Sequence, residues 1–331
     1  MPDFAASTEQ FRPELLAHCY RLLGSIHDAE DLVQETYLRA WRAFGGFEGR
    51  SSVRRWLYKI ATTTCLTALE TRARRPLPSG LGAPADDHRV AVAAADPSVP
   101  WLQPIPDALL DPAAVVAGRA GVRLAFIAAL QLLPARQRAV LTLRDVLAFH
   151  TGEVAEMLGT TPAAVDSALR RARGRLAEAG PVAADLTEPA GHGPLLDRYV
   201  DAFVRPDPGA LVTLLRADVE LEMPPIPTWF TGRDAVAGFL GRRVLRPGAW
   251  RLVPTHANGQ PALLEYAATG AGRFEAHGVQ VLTLIGAKIA RITAFNDPAL
   301  VPVFAATGSA VEDAGLLFTK AGRRPPSSSS P

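Results

Sequence analysis

Apolar and polar residues change their period twice along this chain. From about residue 8 to 75 apolar positions recur at helical spacing, and they do so again from 113 to 179, whereas past 215 they alternate. Between the helical blocks lies "PLPSGLGAPADDHRVAVAAADPSVPWLQPIPDALLDP", Pro76 to Pro112, a proline-rich and weakly periodic linker. A shorter connector, "GPVAADLTEPAGHGP", follows the second block, and "RRPPSSSSP" at the end has the composition of a flexible tail. The expected units are therefore 8–76, a linker at 77–118, 119–179, a linker at 180–193, 194–309, and a tail at 310–331.

In the first block, "DAEDLVQETYLRAWRAF" predicts an amphipathic helix. Val33, Tyr37, Ala40, Trp41 and Phe44 are expected to face a core, with Asp28 as cap. The opposite face carries Asp31, Gln34, Glu35, Leu38 and Arg42, an acidic and part-apolar stripe. After a "GGF" break comes "SSVRRWLYKIATTTCLTALETRARR", with Ser51 or Ser52 as cap and basic residues set among Trp56 and Tyr58.

The second block contains "HTGEVAEMLGTTPAAVDSALRRARGRL". Thr151 is the expected cap of a short helix stopped by Gly159, and Thr161 followed by Pro162 starts another. Two helices joined by a glycine turn of this length make a helix-turn-helix. Val165, Leu169, Ala172 and Leu176 line one face of the second helix; Asp166, Ser167, Arg170, Arg171 and Arg173 lie on or beside the other.

The third unit starts with the helical "LLDRYVDAFVRPDPGALVTLL". Alternating "DVELEM" and two hairpins follow, turning at Asn258-Gly259 and at Gly286. Helices followed by antiparallel strands indicate an α+β domain. The expected architecture is two all-α domains, a helical bundle and a helix-turn-helix, followed by this α+β domain.

Composition adds limits. The chain has 331 residues, 48% hydrophobic and 21% charged, which suits a soluble protein of two or three domains. A net charge of +2 means that any nucleic-acid role rests on where the arginines sit. Cys19 and Cys65 lie far apart in sequence and outside any C-x-x-C spacing, so neither a disulfide scaffold nor a zinc site is expected. They are expected to be buried apolar residues in a reducing, cytoplasmic setting. The opening "MPDFAASTEQF" has no basic segment leading into an apolar core, so no secretory leader is expected, and no apolar run approaches a membrane span.

Arginine can bridge phosphate oxygens or grip guanine O6 and N7 with two hydrogen bonds, which marks the second helix of the helix-turn-helix as a groove reader. By itself that helix also fits the solvated face of an ordinary bundle. The "RRWLYKI" segment interleaves aromatic and basic residues, a pattern suited to stacking on unpaired bases; Trp56 is equally suited to a core. One surface for duplex and one for unpaired strand, separated by a linker, describe a promoter-opening factor.

These strings resemble a known family. "DAEDLVQETYLRAWRAF…SSVRRWLYKIATTTCL…RARR" is similar to region 2 of the sigma-70 family, in its extracytoplasmic-function group. "LPARQRAVLTLRDVLAFHTGEVAEMLGTTPAAVDSALRRARGRL" is similar to region 4. The resemblance implies an alternative sigma factor, a non-enzyme without cofactor or metal and a monomer when free. It would bind core RNA polymerase, at the β′ clamp helices and the β flap, and read promoter DNA. Asp31, Gln34, Glu35 and Leu38 would grip the polymerase. Arg54, Arg55, Trp56, Lys59 and Thr63, with Arg72, Arg74 and Arg75, would serve the −10 element, and Thr161, Asp166, Ser167, Arg170, Arg171 and Arg173 the −35 element. Two positions depart from the pattern. Thr63 stands where Asn often reads a flipped −10 base. Asp166 stands where a basic residue is common, and an acid there would repel phosphate or accept from cytosine.

The third unit resembles the SnoaL-like polyketide-cyclase domain of the nuclear-transport-factor-two superfamily, which some sigma factors carry fused at the C-terminus. "WLQPIPD", with Trp101, Leu102, Pro104 and Pro106, partly matches the W-L-P-E-P linker string of that subgroup, and "FNDPALV" loosely matches its N-P-D-K-L string. Such domains form a cone. Glu222, Arg251, His256, Tyr266, His277 and Asp297 are its candidate pocket residues for a small-molecule ligand, and they show no spacing that marks a catalytic dyad. A regulatory role is therefore expected for this domain. The alternatives are a ligand-responsive regulator using only the helix-turn-helix, or a cyclase or isomerase carrying a DNA-binding module.

Overall fold

The computed structural model describes residues 4–49, 51–110, 121–178, 193–270 and 272–307. Of the connector expected at 180–193, residues 180–192 lie outside the described residues, as does the tail at 310–331, and Gly193 already belongs to the helix that follows. The first block forms four helices, α1 (Phe4–Thr8), α2 (Arg12–Leu23), α3 (Ile26–Ala43) and α4 (Val53–Leu69). Gly24 stops α2 in the left-handed conformation, φ +71°. Ser25, rather than the expected Asp28, caps α3: its Oγ accepts from the Asp28 N–H. Ser52 caps α4 through the Arg55 N–H. Leu15, Tyr20, Leu22, Ile26, Val33, Leu57 and Tyr58 are fully buried between these helices. Cys19 and Cys65 meet in this core, where a hydrogen bond between the sulfurs, and then burial, hold the Cys65 thiol well above its ordinary pKa.

Trp41 departs from the expected core face and is 64% exposed. The buried strip of α3 is Ala29, Val33, Thr36 and Ala40. One residue beyond Ala40 turns the chain by about 100°, which carries Trp41 off that strip.

In the second block α5 (Leu124–Leu130) and α6 (Ala135–Leu141) precede the helix-turn-helix pair α7 (Thr151–Met157) and α8 (Pro162–Glu178). His150 rather than Thr151 occupies the cap position of α7, and its N–H donates to the Glu153 carboxylate. Gly159 takes the left-handed turn, φ +58°, and Thr161 Oγ1 caps α8 by accepting from the Ala164 N–H.

The two blocks pack on each other. Arg138 of α6 is buried and donates to the Leu22 carbonyl of α2, to Gln131 Oε1 and to the Leu133 carbonyl. Arg21 of α2 reaches the other way, to the Gly121 carbonyl at 2.9 Å. Neither has a carboxylate in these contacts, and burial lowers the Arg138 pKa to about 10.

The third unit has α9 (Gly193–Val204) and α10 (Pro208–Leu214), then β1 (Leu215–Met223), β2 (Ile226–Thr231) and α11 (Arg233–Phe239). Strands β3 (Trp250–Ala257), β4 (Gln260–Gly270), β5 (Arg273–Ile285) and β6 (Lys288–Phe295) and helix α12 (Leu300–Ala305) complete it. The sheet order is β2-β1-β6-β5-β4-β3. The expected hairpins form, but the sheet is mixed, because β1 pairs with β6 in parallel. One face packs on α9, α10 and α11 through Tyr199, Phe203, Phe230, Phe239, Leu263 and Leu282. The other, with Val253, Leu264, Tyr266, Val279 and Val281, shares a continuous core with α12 and the two helical blocks.

The linker has little regular structure and is nonetheless held throughout much of its length. Its N–H at Ala85 bonds the Trp229 carbonyl, Ala93 bonds Thr228 Oγ1, and Asp96 bonds the Pro225 carbonyl, so it covers the exposed edge at β2. Trp101, Leu102, Pro104 and Pro106 are buried.

Gly278 on β5 lies so close to β6 that a Cβ there would collide with the Phe295 carbonyl oxygen. Gly278→Ala should destabilise the chain by roughly 1–3 kcal/mol, read as a lower midpoint in chemical denaturation with an unchanged slope.

Candidate nucleic-acid interface

The stripe on α3 is laid out as expected. Asp31, Gln34 and Leu38 are exposed and Glu35 is half-buried, held by Arg39 at 2.6 Å. Leu38 is 50% exposed, and Trp41, three residues on, extends the same stripe. Two large apolar side chains are thus exposed on neighbouring turns of one helix face. Helical spacing assigned Trp41 to the core, but the buried residue there is its neighbour Ala40.

The expected −10 set divides in two. Lys59, Thr63 and Arg74 are exposed. Trp56 is half-buried in an aromatic group, its ring 4.9 Å from Phe47 and 6.2 Å from Phe44. The remaining arginines are engaged inside the chain, contrary to a free basic surface. Arg54 grips Glu14 through Nε and Nη2 and lies over the rings of Tyr58 and Phe149. Arg55 pairs with Glu153 and Glu156 of α7, so the helix-turn-helix sits on the start of α4. Arg72, though itself exposed, and Arg75 share Asp28, at 2.9 and 2.5 Å.

On α8 the burial of Val165, Leu169 and Ala172 turns the expected −35 residues outward. Thr161, Asp166, Arg170, Arg171 and Arg173 are exposed and Ser167 is half-buried. Arg171 donates to Ser167 Oγ at 2.7 Å, and Thr151 Oγ1 donates to Asp166 Oδ1 at 3.3 Å. Arg173 is drawn aside into a two-bond pair with Asp145.

The candidate pocket residues do not converge. Glu222 lies between Leu221 and Met223, which face the cone, so strand alternation sends its carboxylate to the other side, where Oε1 accepts from the Ser79 N–H. Arg251 and Tyr266 also face away from the cone; Arg251 lies over the Phe274 ring and Tyr266 is part of the shared core. His277 packs edge-on against Trp250, and burial lowers its pKa despite a hydrogen bond to Asn296. His256 lines a separate shallow cleft beside Pro106. Asp297 accepts from the Ala299 N–H and lines a cleft of ≈ 350 Å³ with Arg75, Trp101, Gln103 and Pro225.

The polar group that does face the cone is Glu265, which the alternation of β4 could have revealed. Its carboxylate accepts from Gln280 Nε2, whose Oε1 accepts from the Tyr199 hydroxyl at 2.8 Å. Burial raises the Glu265 pKa from 4.5 to about 7, against the opposing effect of the Gln280 bond. The folded chain therefore keeps this proton longer than the unfolded one. Glu265 contributes most favourably below pH 4.5, and that contribution is lost as pH rises towards 7. Glu265→Gln should stabilise the chain at pH 8 by up to about 3 kcal/mol and leave it unchanged at pH 4, read from thermal or urea unfolding at the two pH values.

Among the described residues no group of His, Cys, Asp or Glu could hold a metal ion, and no helix is long and apolar enough to cross a membrane.

Known proteins match this arrangement segment by segment. The family model for Sigma-70 region 2 matches residues 8–75, that for Sigma-70, region 4 matches 123–176, and that for a SnoaL-like domain matches 196–292. The ECF RNA polymerase sigma factor SigG of Mycobacterium tuberculosis is 48% identical over 320 residues, covering 91% of this chain and 83% of its own length. SigJ of the same organism is 30% identical over 251 residues, covering 72% of this chain and 73% of its own length. The crystal structure of the Mycobacterium tuberculosis extracytoplasmic function sigma factor SigJ superposes with a TM-score of 0.58 at 25% identity, covering 90% of this chain and 98% of that one. With regions 2 and 4 both in place, this chain belongs to the extracytoplasmic-function sigma factors of the sigma-70 family, alternative sigma factors for transcription initiation, and carries a fused SnoaL-like domain.

Proposed function

We propose that the SnoaL-like domain governs when regions 2 and 4 of this sigma factor engage core RNA polymerase and promoter DNA. The units at 8–76 and 119–179 are the working parts. Asp31, Gln34, Glu35 and Leu38, joined by Trp41, meet the β′ clamp helices, and region 4 meets the β flap. Lys59, Thr63 and Arg74 offer a first contact to the −10 element. Arg54, Arg55, Trp56, Arg72 and Arg75 add to it once their internal partners are given up. Thr161, Asp166, Ser167, Arg170, Arg171 and Arg173 face the −35 element. The chain acts as a monomer in the cytoplasm, without cofactor and without catalysis of its own. The cleft beside Trp101 offers room for a small-molecule ligand, and the cone interior holds Phe203, Phe230, Phe239 and Leu263.

One observation carries this reading. Asn258, at the β3–β4 turn, is fully buried and bonds three other parts of the chain. Its Nδ2 donates to the Tyr20 hydroxyl of region 2 and to the Val122 carbonyl before region 4, while its Oδ1 and N–H bond Ile105 of the linker. In this arrangement Arg55 is occupied by region 4, so a domain that fastens both regions holds the −10 surface back.

Asn258→Ala in the full chain should lengthen the distance between labels on regions 2 and 4 and raise single-round transcription from a cognate promoter. Unchanged distance and unchanged output would sink the proposal. Separately, Trp41→Ala should weaken core binding roughly tenfold or more with no change in thermal stability, measured by competition for core polymerase on native gels.

A further inference from the structure

The recognition helix carries an acid among arginines, and the surrounding contacts decide what that acid can do. Asp166 lies in the second turn of α8, exposed and outside any ion pair among the described residues. Arg170 follows it by four residues, also exposed and with no partner among the described residues. This spacing puts the two side chains about 40° apart around the helix and about 6 Å apart along it. They could have paired with each other, as Glu35 and Arg39 do on α3. Instead Asp166 Oδ1 accepts from Thr151 Oγ1, on the first turn of α7, and Arg170 is left exposed to solvent.

That hydrogen bond does two things. It links the side chain, over a long 3.3 Å, to the helix in front, and it leaves Oδ2 available as an acceptor. The other basic groups nearby are already assigned. Arg171 is donating to Ser167 Oγ, Arg173 is held by Asp145, and Arg175 reaches Gln137. No cation among the described residues therefore neutralises Asp166.

In the major groove a carboxylate accepts best from the N4 amino group of cytosine, because the N6 donor of adenine sits beside the N7 acceptor, while a guanidinium finds guanine O6 and N7. Successive bases are 3.4 Å apart along a strand, so side chains about 6 Å apart along a helix lying in the groove address positions about two base pairs apart. We infer that Asp166 and Arg170 are the base-reading pair of this sigma factor. On this assignment its −35 element carries a cytosine read by Asp166 and, about two base pairs away, a guanine read by Arg170. The inference rests on the placement of α8 at the −35 element and adds the base identities to it. Ser167 and Arg171, bonded to each other, serve the phosphates beside this pair.

The test is selection from promoters randomised across the −35 element, using holoenzyme made from the full chain and core polymerase. Holoenzyme formation on native gels, read on the same samples, checks the underlying sigma assignment separately. Wild-type holoenzyme should enrich a cytosine at one position and a guanine about two positions away. Asp166→Ala should lose the cytosine preference by roughly tenfold and keep the guanine. Asp166→Asn should move the same position towards adenine, and Arg170→Ala should lose only the guanine. The salt dependence of binding should stay the same in Asp166→Ala, because a base contact releases no counterions. Two results would overturn the assignment. One is an Asp166→Ala logo identical to wild type. The other is tighter binding to every sequence with a steeper salt dependence, the behaviour of a carboxylate that merely repels phosphate. Both side chains are exposed, and circular dichroism melts of each variant should match wild type.

Discussion

The arrangement of this sigma factor depends on one buried amide. Asn258 has a backbone N–H, a carbonyl oxygen and two amide hydrogens, and all four are hydrogen-bonded to residues outside its own hairpin. A buried polar group left without a partner costs about 1–3 kcal/mol, so none of Tyr20, Ile105 and Val122 can move away alone without leaving donors or acceptors unsatisfied. Neighbouring groups repeat the pattern. The Gly259 N–H donates to Asp107, and Gln260 Oε1 accepts from the Leu124 N–H. The tip needs two residues at positive φ, which Asn258 and Gly259 supply at +57° and +66°. One short turn thus closes a hairpin and sets the places of region 2, the linker and region 4.

The charges of the DNA-facing regions follow the same economy. Arg54, Arg55, Arg72, Arg75 and Arg173 sit in a basic pattern and each has found an acid within the chain. Most of these pairs are at least partly exposed, where an ion pair contributes little and salt weakens it further. Between the two regions Arg21 and Arg138 are buried and donate to backbone carbonyls and to the Gln131 side-chain amide oxygen. Water could replace those acceptors on opening. The two regions also share apolar core, with Tyr58 packed edge-on against Phe149.

The sheet of the third domain works on both faces. Towards α9, α10 and α11 it is filled by aromatic and aliphatic side chains, with Glu265, Gln280 and Tyr199 as a buried polar chain. Its other face continues into the core of the helical blocks, and its β2 edge is covered by the linker. Glu222, Arg251 and Tyr266 belong to that second face because strand alternation places them there. The domain therefore resembles a binding cone in topology, while two of its clefts lie at junctions with the rest of the chain and a third lies between α9 and α10.

Local rules decided a good deal. The helical period of "DAEDLVQETYLRAWRAF", the Gly159 turn, the Thr161–Pro162 start and the Asn258–Gly259 hairpin are each set by residues a few positions apart, and all were legible in the sequence. So were the outward faces of α3 and α8, apart from Trp41. What the sequence could not express was pairing between distant residues. Asp28 taking Arg72 and Arg75, Glu156 taking Arg55, and Asp145 taking Arg173 depend on how helices cross. The parallel pairing of β1 with β6, and the burial of a linker that looked loose, likewise require partners far along the chain. The sequence by itself determined the elements and the family, because spacing along a backbone is enough to specify a helix, a turn or a motif. Only the tertiary structure decided which charges remain for DNA and which are held within the chain, because an ion pair depends on distance in space and carries no period along the sequence.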